Sequence, residues 1–488
     1  MKKKTSTYYI FIAFLIILFL SCALFFVTNL LSEFYNTNSF EAILFHIQTS
    51  VSGTDWAVIS TYIKCIPNAV LVVVGTCIVL IFFSKKYNIS IRKTSLSALG
   101  ASIILFIFSV HHTLTSINFY EYADNRLDTS NFVEEHYADP GKVNITPPEK
   151  KQNLILVYLE SIEASFSSKE VGGLFDKNLI PNLTRIAQDN LYFSNEENLG
   201  GALRLNGTGW TSAGLISTTC GINIQSPLSS THIDKFHHYA YPHVKTLFDI
   251  LQQTSYRERF VMGGNADFGG IRPYLESHGC ISIRDVNDWI SEKKIRRKER
   301  KRWGVTDKDL LEYVKQDLLQ TAQDTSTPFF YCFMTVDSHT PQGRITEDCG
   351  CPFDTPYANS IECADMHMGD FYTWLIKQDF FKHTTIVIMG DHLTMNNQFI
   401  TQEGDRTIYN VFINSVKKTD KAKNRQFNQL DYFPTLLSSI GFSVEGNRLG
   451  LGTDLFSETP TLYEAYGYAH INSELSKYSK FYNQELLK

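Results

Sequence analysis

The stretch Tyr8–Leu31 (YYIFIAFLIILFLSCALFFVTNLL) contains no charged side chain. A bilayer core asks for about 20 consecutive apolar residues in a helix, so this run reads as a membrane span. It is too long for the apolar core of a cleaved signal, and it continues past Cys22, whose FLSCA setting faintly resembles a lipid-attachment site. Ile66–Phe83 is a second candidate span and Ser95–Leu114, which includes His111 and His112, a third. Between them, segment 39–64 carries Glu41, Asp55 and Lys64 and is expected to be a loop or an interfacial helix. Residues 1–114 therefore form a membrane anchor with spans at 8–31, 66–83 and 95–114. Lys2–Lys4 precede the first span, and Lys85, Lys86, Arg92 and Lys93 lie between the second and third. Basic residues stay on the cytoplasmic side, which puts everything after about Thr115 outside a multi-pass plasma-membrane anchor, in the periplasm or extracellular space. The net charge of −5 argues against a general nucleic-acid binder, which would be basic.

Residues 115–150 form a polar connector ending in Pro147-Pro148-Glu149-Lys150-Lys151. A different pattern then begins. Leu154–Leu159, Thr327–Val336 and Thr384–Met389 are short apolar runs of the kind that fill buried parallel strands. Helical patterns at Pro181–Leu191, His243–Gln253, Lys308–Gln323 and Ile361–Gln378 alternate with them. This alternation predicts an α/β domain over 151–460, with a central, mostly parallel sheet flanked by helices; residues 461–488 are left as a C-terminal tail. Ligands of such sheets bind beyond the carboxyl ends of the strands. The three runs end on Glu160, on Asp337-Ser338-His339 and on Gly390-Asp391-His392.

Gly207-Thr208-Gly209-Trp210-Thr211 leads into SAGLISTTCG, which reads as the opening of a helix. Two readings of Thr211 stand side by side. It caps the helix, as threonine often does, or its hydroxyl sits among free N–H groups where a phosphate would bind. Glu160, Asp391 and His392 supply two carboxylates and an imidazole, a set able to hold one divalent cation with Thr211 as fourth ligand. Oxygen-rich sets suit manganese or magnesium, and one imidazole among oxygens also admits zinc; manganese is the expected ion. A cation there would lower the pKa of the Thr211 hydroxyl, otherwise a weak nucleophile. His339 is placed to bind a phosphate oxygen or to protonate a leaving group.

These residues resemble the lipoteichoic acid synthase and phosphoglycerol transferase I group of the alkaline phosphatase and sulfatase superfamily. The resemblance rests on NLILVYLESIEASF (153–166), LIPNLTRIAQDNLYFSN (179–195), GTGWTSAGLISTTCG (207–221), WGVTDKDLL (303–311), TVDSHTP (335–341), GDHLTMNN (390–397) and DYFPTLLSSIG (431–441). It implies Thr211 as nucleophile, Glu160, Thr211, Asp391 and His392 as metal ligands, and His339 as a headgroup-binding residue. Trp210 and Arg272, in DFGGIRPY, are further substrate-binding candidates. Thr211-Ser212-Ala213-Gly214 lacks the Cys/Ser-x-Pro-x-Arg signature that true sulfatases convert to formylglycine. The resemblance implies a membrane-anchored transferase that moves phosphoglycerol from phosphatidylglycerol to a membrane-derived or surface glycan. Its partners would be the bilayer, the lipid donor and the glycan, with no nucleic acid. A phosphoethanolamine transferase, a hydrolase of the same fold and a non-catalytic lipid or glycan sensor are the alternatives.

Six cysteines (220, 280, 332, 349, 351 and 363) fall in the part assigned to the outside, where disulfides persist. Cys332 lies in a strand run and is expected to be a free core thiol. One disulfide among Cys349, Cys351 and Cys363 competes with a zinc knuckle, for which no second cysteine pair is in place. Lys293–Arg302 (KKIRRKERKR) reads either as a solvated face or as a patch for an anionic lipid surface.

Overall fold

The computed structural model of the chain describes residues 2–34, 39–49, 56–226, 241–280, 282–296, 303–396, 399–402 and 404–487. It divides into two compact units, one of residues 1–40 and 54–124 and the other of 41–53 and 125–488.

The first unit is built on three helices: α1 (Lys2–Phe34), α2 (Cys65–Lys86) and α3 (Ile91–Ser116). Each contains a stretch long and apolar enough to cross a membrane, over Ser6–Leu31, Cys65–Lys86 and Ile91–Ser116. Phe14, Leu18, Cys22, Ala69 and Ala98 form the buried contact among them. Small hydroxyl residues line the same seam. Ser21 and Ser102 return their hydroxyls to carbonyls one turn back in their own helices, and Thr28 pairs with Thr113 at 2.7 Å. This is how polar groups are tolerated where water is scarce. On its other side α2 exposes apolar side chains, Leu71, Ile78 and Phe82 among them, as a lipid-facing surface requires. The described residues of segment 39–64 include two short helices, Phe40–Gln48 and Trp56–Ile63, neither long enough to span.

The second unit is organised around a six-stranded sheet. Its strands are β1 (Asn153–Leu159), β2 (Arg257–Met262), β3 (Ile283–Arg284), β4 (Phe329–Met334), β5 (Thr384–Gly390) and β6 (Asn410–Ile413), in the order β3-β2-β4-β1-β5-β6. All neighbours are parallel except β6, which closes one edge antiparallel to β5. The sequence predicted β1, β4 and β5 because every residue of β4 and β5, and all but the first of β1, is buried. Burying each Val, Leu, Ile, Phe or Met among them contributes roughly 1.5–3 kcal/mol. Strands β2, β3 and β6 went unread: β2 begins Arg-Glu-Arg, and the other two are short.

Helix positions follow their caps. The predicted helix at 361 begins at Pro356, because Thr355 caps the backbone N–H of Ala358 and proline fits the first turn. The one predicted at His243 begins at Leu247, behind a capping box of Thr246 and Asp249. In the expected C-terminal tail, residues 461–487 carry helices Leu462–Tyr466 and Tyr468–Ser476 and a last turn, with Ile471, Leu475 and Tyr482 fully buried.

Candidate active site

Strands β4, β1 and β5 are adjacent at the sheet centre, and their carboxyl ends lie level: Tyr158 pairs with both Met334 and Met389, and Leu159 with Gly390. The chain leaving each strand therefore delivers its polar residues to one place. Glu160 follows β1 directly and Asp391-His392 follow β5 directly. Glu160, Asp391 and His392 are all buried, with one ligand-type atom of each within 4.8 Å of the others.

The backbone fixes these side chains. Ser161, at φ +55°, turns its N–H onto Asp391 Oδ1 (2.8 Å) and its hydroxyl onto Glu160 Oε1 (2.6 Å). The His392 N–H donates to the same Asp391 Oδ1 at 2.8 Å. Gln429 holds the Asp391 carbonyl at 2.6 Å, and Ser338 donates to the Glu160 carbonyl.

Helix α4 (Thr211–Cys220) brings in the hydroxyl. Gly207, at φ +80°, permits the preceding turn: a Cβ there would meet the Ile224 carbonyl at 2.3 Å. Gly214 matters more. Its missing Cβ would stand 2.2 Å from the Asp391 carbonyl oxygen, so the helix lies directly on the backbone of a site residue. This approach puts Thr211 Oγ1 3.2 Å from Glu160 Oε2 and 3.5 Å from His392 Nε2. The cap position belongs to Trp210, which makes no side-chain cap bond. The Thr211 hydroxyl is turned into the carboxylate–imidazole cluster and is not the helix cap.

Whether these residues suit a cation is decided by their unused lone pairs. Asp391 Oδ2 is buried without a hydrogen-bond partner, a costly state for a carboxylate oxygen. His392 directs Nδ1 to the Leu393 carbonyl (2.8 Å), so Nε2 faces inward, 3.5 Å from Glu160 Oε1 and 3.4 Å from Asp391 Oδ2. A ring nitrogen tied to a carbonyl while the other faces carboxylates is the arrangement of a metal-binding histidine. Burial and the Glu160 charge push the Asp391 carboxyl well up. Burial opposes charge on His392, yet Asp391 and Glu160 raise its pKa. The cluster is a concentrated negative charge that asks for a positive partner, and a divalent cation fits it.

The other predicted site residues are disposed differently. His339 is half-buried, with Nδ1 2.9 Å from the Thr340 carbonyl and its ring stacked 4.1 Å from that of Trp303. Its charge is among the influences that, against burial, lower the Glu160 pKa, so it belongs to the same electrostatic neighbourhood. Trp210 is 3% exposed, with its ring 5.4 Å from that of Phe45. Arg272 is engaged elsewhere: its guanidinium bonds Asp267 at 2.6 Å and the buried Asp285 at 2.8 Å. Ser161, Ser338 and Gly214 were missed, although the serines sit beside predicted residues and Gly214 lies inside a quoted motif.

Residues 152–442 match the sulfatase family. The chain belongs to that family. Its second unit is an alkaline-phosphatase-like α/β domain. Phosphoglycerol transferase I of Xanthomonas axonopodis pv. citri is 28% identical over 324 residues, covering 64% of this chain and 44% of that protein. The chain spans about half the length of the curated relatives it matches. Among solved structures, the lipoteichoic acid synthase of Listeria monocytogenes aligns with a TM-score of 0.51 at 16% identity, over 67% of this chain and 80% of that one. The lipooligosaccharide phosphoethanolamine transferase A of Neisseria meningitidis, an integral membrane protein, aligns at 0.52 and 16% identity, over 88% and 83%. At these identities the two structures speak for the fold.

Proposed function

We propose that the chain is a membrane-anchored, metal-dependent transferase that moves phosphoglycerol from phosphatidylglycerol to a glycan hydroxyl, with Thr211 as the covalent relay. One observation carries this reading: the Thr211 hydroxyl points away from helix capping and into the buried set of Glu160, Asp391 and His392. The similarity to a phosphoglycerol transferase supports the transferred group. The catalytic unit is taken to lie on the outer face of the plasma membrane, in keeping with the basic residues that flank the apolar helices.

Glu160, Asp391, His392 and Thr211 would hold the ion, manganese by preference. When bound, it would supply Lewis acidity that favours the alkoxide of Thr211. Thr211 Oγ1 gives up its proton along the 3.2 Å hydrogen bond toward Glu160 Oε2 and attacks the donor phosphorus. The bond from phosphorus to the diacylglycerol oxygen breaks, leaving phosphoglycerol esterified to Thr211. His339, whose Nδ1 lies 2.9 Å from the Thr340 carbonyl, is assigned to bind a phosphate oxygen or to protonate the departing alkoxide. A glycan hydroxyl then attacks the same phosphorus and Thr211 is regenerated.

The choice of glycerol over ethanolamine gains support from two acids near the site. An ammonium headgroup would seek a carboxylate. Asp267 is paired with Arg272 at 2.6 Å, and Asp337 is held by Arg344 and by the Asp307 N–H at 2.7 Å. Both carboxylates already have partners. The test offers purified protein phosphatidylglycerol or phosphatidylethanolamine, each labelled in the headgroup, with a glucan acceptor. Label should move from phosphatidylglycerol to the glucan. Transfer from phosphatidylethanolamine alone would overturn the donor, and release of label to water alone would make the protein a hydrolase.

A further inference from the structure

The short helix Phe40–Gln48 lies in sequence between the first two apolar helices, yet from Glu41 onward it belongs to the catalytic unit. Glu41 secures it. Its carboxylate accepts from Arg126 at 2.5 Å and from the Ser226 N–H at 3.0 Å. Phe45 is 1% exposed and packs on Trp210, the residue before Thr211. The neighbouring His46 is only partly covered, and neither of its ring nitrogens makes a hydrogen bond among the described residues.

The surroundings of His46 are those of the active site. Its ring stacks on Phe268 at 5.6 Å and 22°, and lies 6.4 Å from Trp210. Phe268 continues to Trp303 at 5.9 Å, and Trp303 stacks on His339 at 4.1 Å. Gly269 closes the gap beneath. A Cβ there would stand 2.3 Å from Ser212 Oγ and 3.8 Å from His46 Cε1. A row of rings therefore runs from His46 to His339 beside the residues that flank Thr211 on either side.

We propose that His46 binds the hydroxyls of the donor's glycerol headgroup, so that a residue of the linker between two membrane helices helps set donor specificity. This rests on the transferase reading above. An imidazole with two unengaged nitrogens offers one donor and one acceptor, and a polyol hydroxyl answers both. Burial, reinforced by the charge of His339, pulls the His46 pKa down to about 4. The ring is thus neutral at physiological pH and pairs with an uncharged hydroxyl more readily than with a phosphate.

The test compares the full-length wild type with His46→Phe, which keeps a stacking ring without nitrogens, and His46→Gln, which restores a hydrogen-bonding group. All are assayed with headgroup-labelled phosphatidylglycerol for KM and kcat, and for melting temperature. His46→Phe should raise KM about three- to tenfold, the loss of one or two neutral hydrogen bonds, with little change in kcat or melting temperature. His46→Gln should recover much of the difference. An unchanged KM in His46→Phe would overturn the inference, as would equal losses in both variants accompanied by a lowered melting temperature, which would make His46 a packing residue. Wild-type turnover with unchanged variants would leave the transferase reading intact, whereas absence of transfer by the wild type would overturn both.

Discussion

Among the described residues, two clusters in the second unit bring together side chains of the types that hold metal ions, and they differ in what their lone pairs already do. Glu160, Asp391 and His392 form one, and Cys349, Cys363 and His367 the other. In the second, the sulfurs are joined as a disulfide and His367 Nε2 faces the Thr346 hydroxyl at 2.9 Å. In the first, Asp391 Oδ2 has no hydrogen-bond partner among the described residues, Nε2 of His392 faces inward, and a hydroxyl enters from a neighbouring helix. Ligand types at short range are therefore not enough. A site needs donors that the fold has positioned and left unsatisfied, and only the first cluster has them. The disulfide also decides between the two readings of the Cys349–Cys363 segment in favour of a covalent staple, with Cys351 left as an exposed thiol.

The sharpest break between the clusters is chemical. Thr211→Ala should lower turnover by about three orders of magnitude or more, as loss of a nucleophile does. Melting temperature should stay near wild type, because the hydroxyl makes no cap. The check is label transfer from phosphatidylglycerol beside a thermal melt; comparable turnover in the variant would return Thr211 to a structural role.

Chelation comes next. Dialysis against a strong chelator should reduce turnover to near background and lower the melting temperature, since a ligand that binds only the folded state stabilises it. Elemental analysis should find one divalent ion per chain before dialysis, and Asp391→Asn should lose ion and turnover together.

A steric lever of intermediate size is Gly214. Adding a methyl group 2.2 Å from the Asp391 carbonyl forces α4 off the sheet edge. Gly214→Ala should cost roughly 1–3 kcal/mol of stability and about 10²-fold in kcat, since small misplacements of a reacting group carry that penalty. Denaturant unfolding and steady-state kinetics on the same preparation measure both.

The smallest effect on activity belongs to the second cluster. Replacing Cys349 and Cys363 by serine removes a link across a 14-residue separation and should cost about 3 kcal/mol of stability. Ion content and kcat should remain close to wild type. A parallel loss of ion would mean that the two clusters are not independent.

The parts of this architecture that could be read from the amino-acid sequence share a physical signature. Buried parallel strands are apolar on both faces, so β1, β4 and β5 stand out, and polar residues directly after them must lie at one edge. Glu160, His339, Asp391 and His392 were legible for that reason, and the three long apolar helices for their length. Other features depend on approaches that leave no local pattern. The need for glycine at 214 comes from the backbone at 391, far away in sequence. The bond from Arg272, a headgroup-binding candidate, to Asp285, the cap of another helix thirteen positions on, is one such approach. His46 could not be placed, because nothing in a nine-residue helix between two spans says that its Glu41 pairs with Arg126. The start of the helix at Pro356 is marked locally by Thr355-Pro356. The basic run at 293–302 has only residues 293–296 within the described structure, where Lys294 pairs with Glu292 at 3.2 Å.

The central claim is that Thr211 carries the transferred group. Full-length protein loaded with its ion should be incubated with phosphatidylglycerol and no acceptor, quenched in acid and digested for mass spectrometry. One phosphoglycerol should appear on the peptide that contains Thr211 and be removed again when a glucan acceptor is added before quenching. A phosphoglycerol group on any other residue, or turnover with Thr211 replaced by alanine, would contradict it.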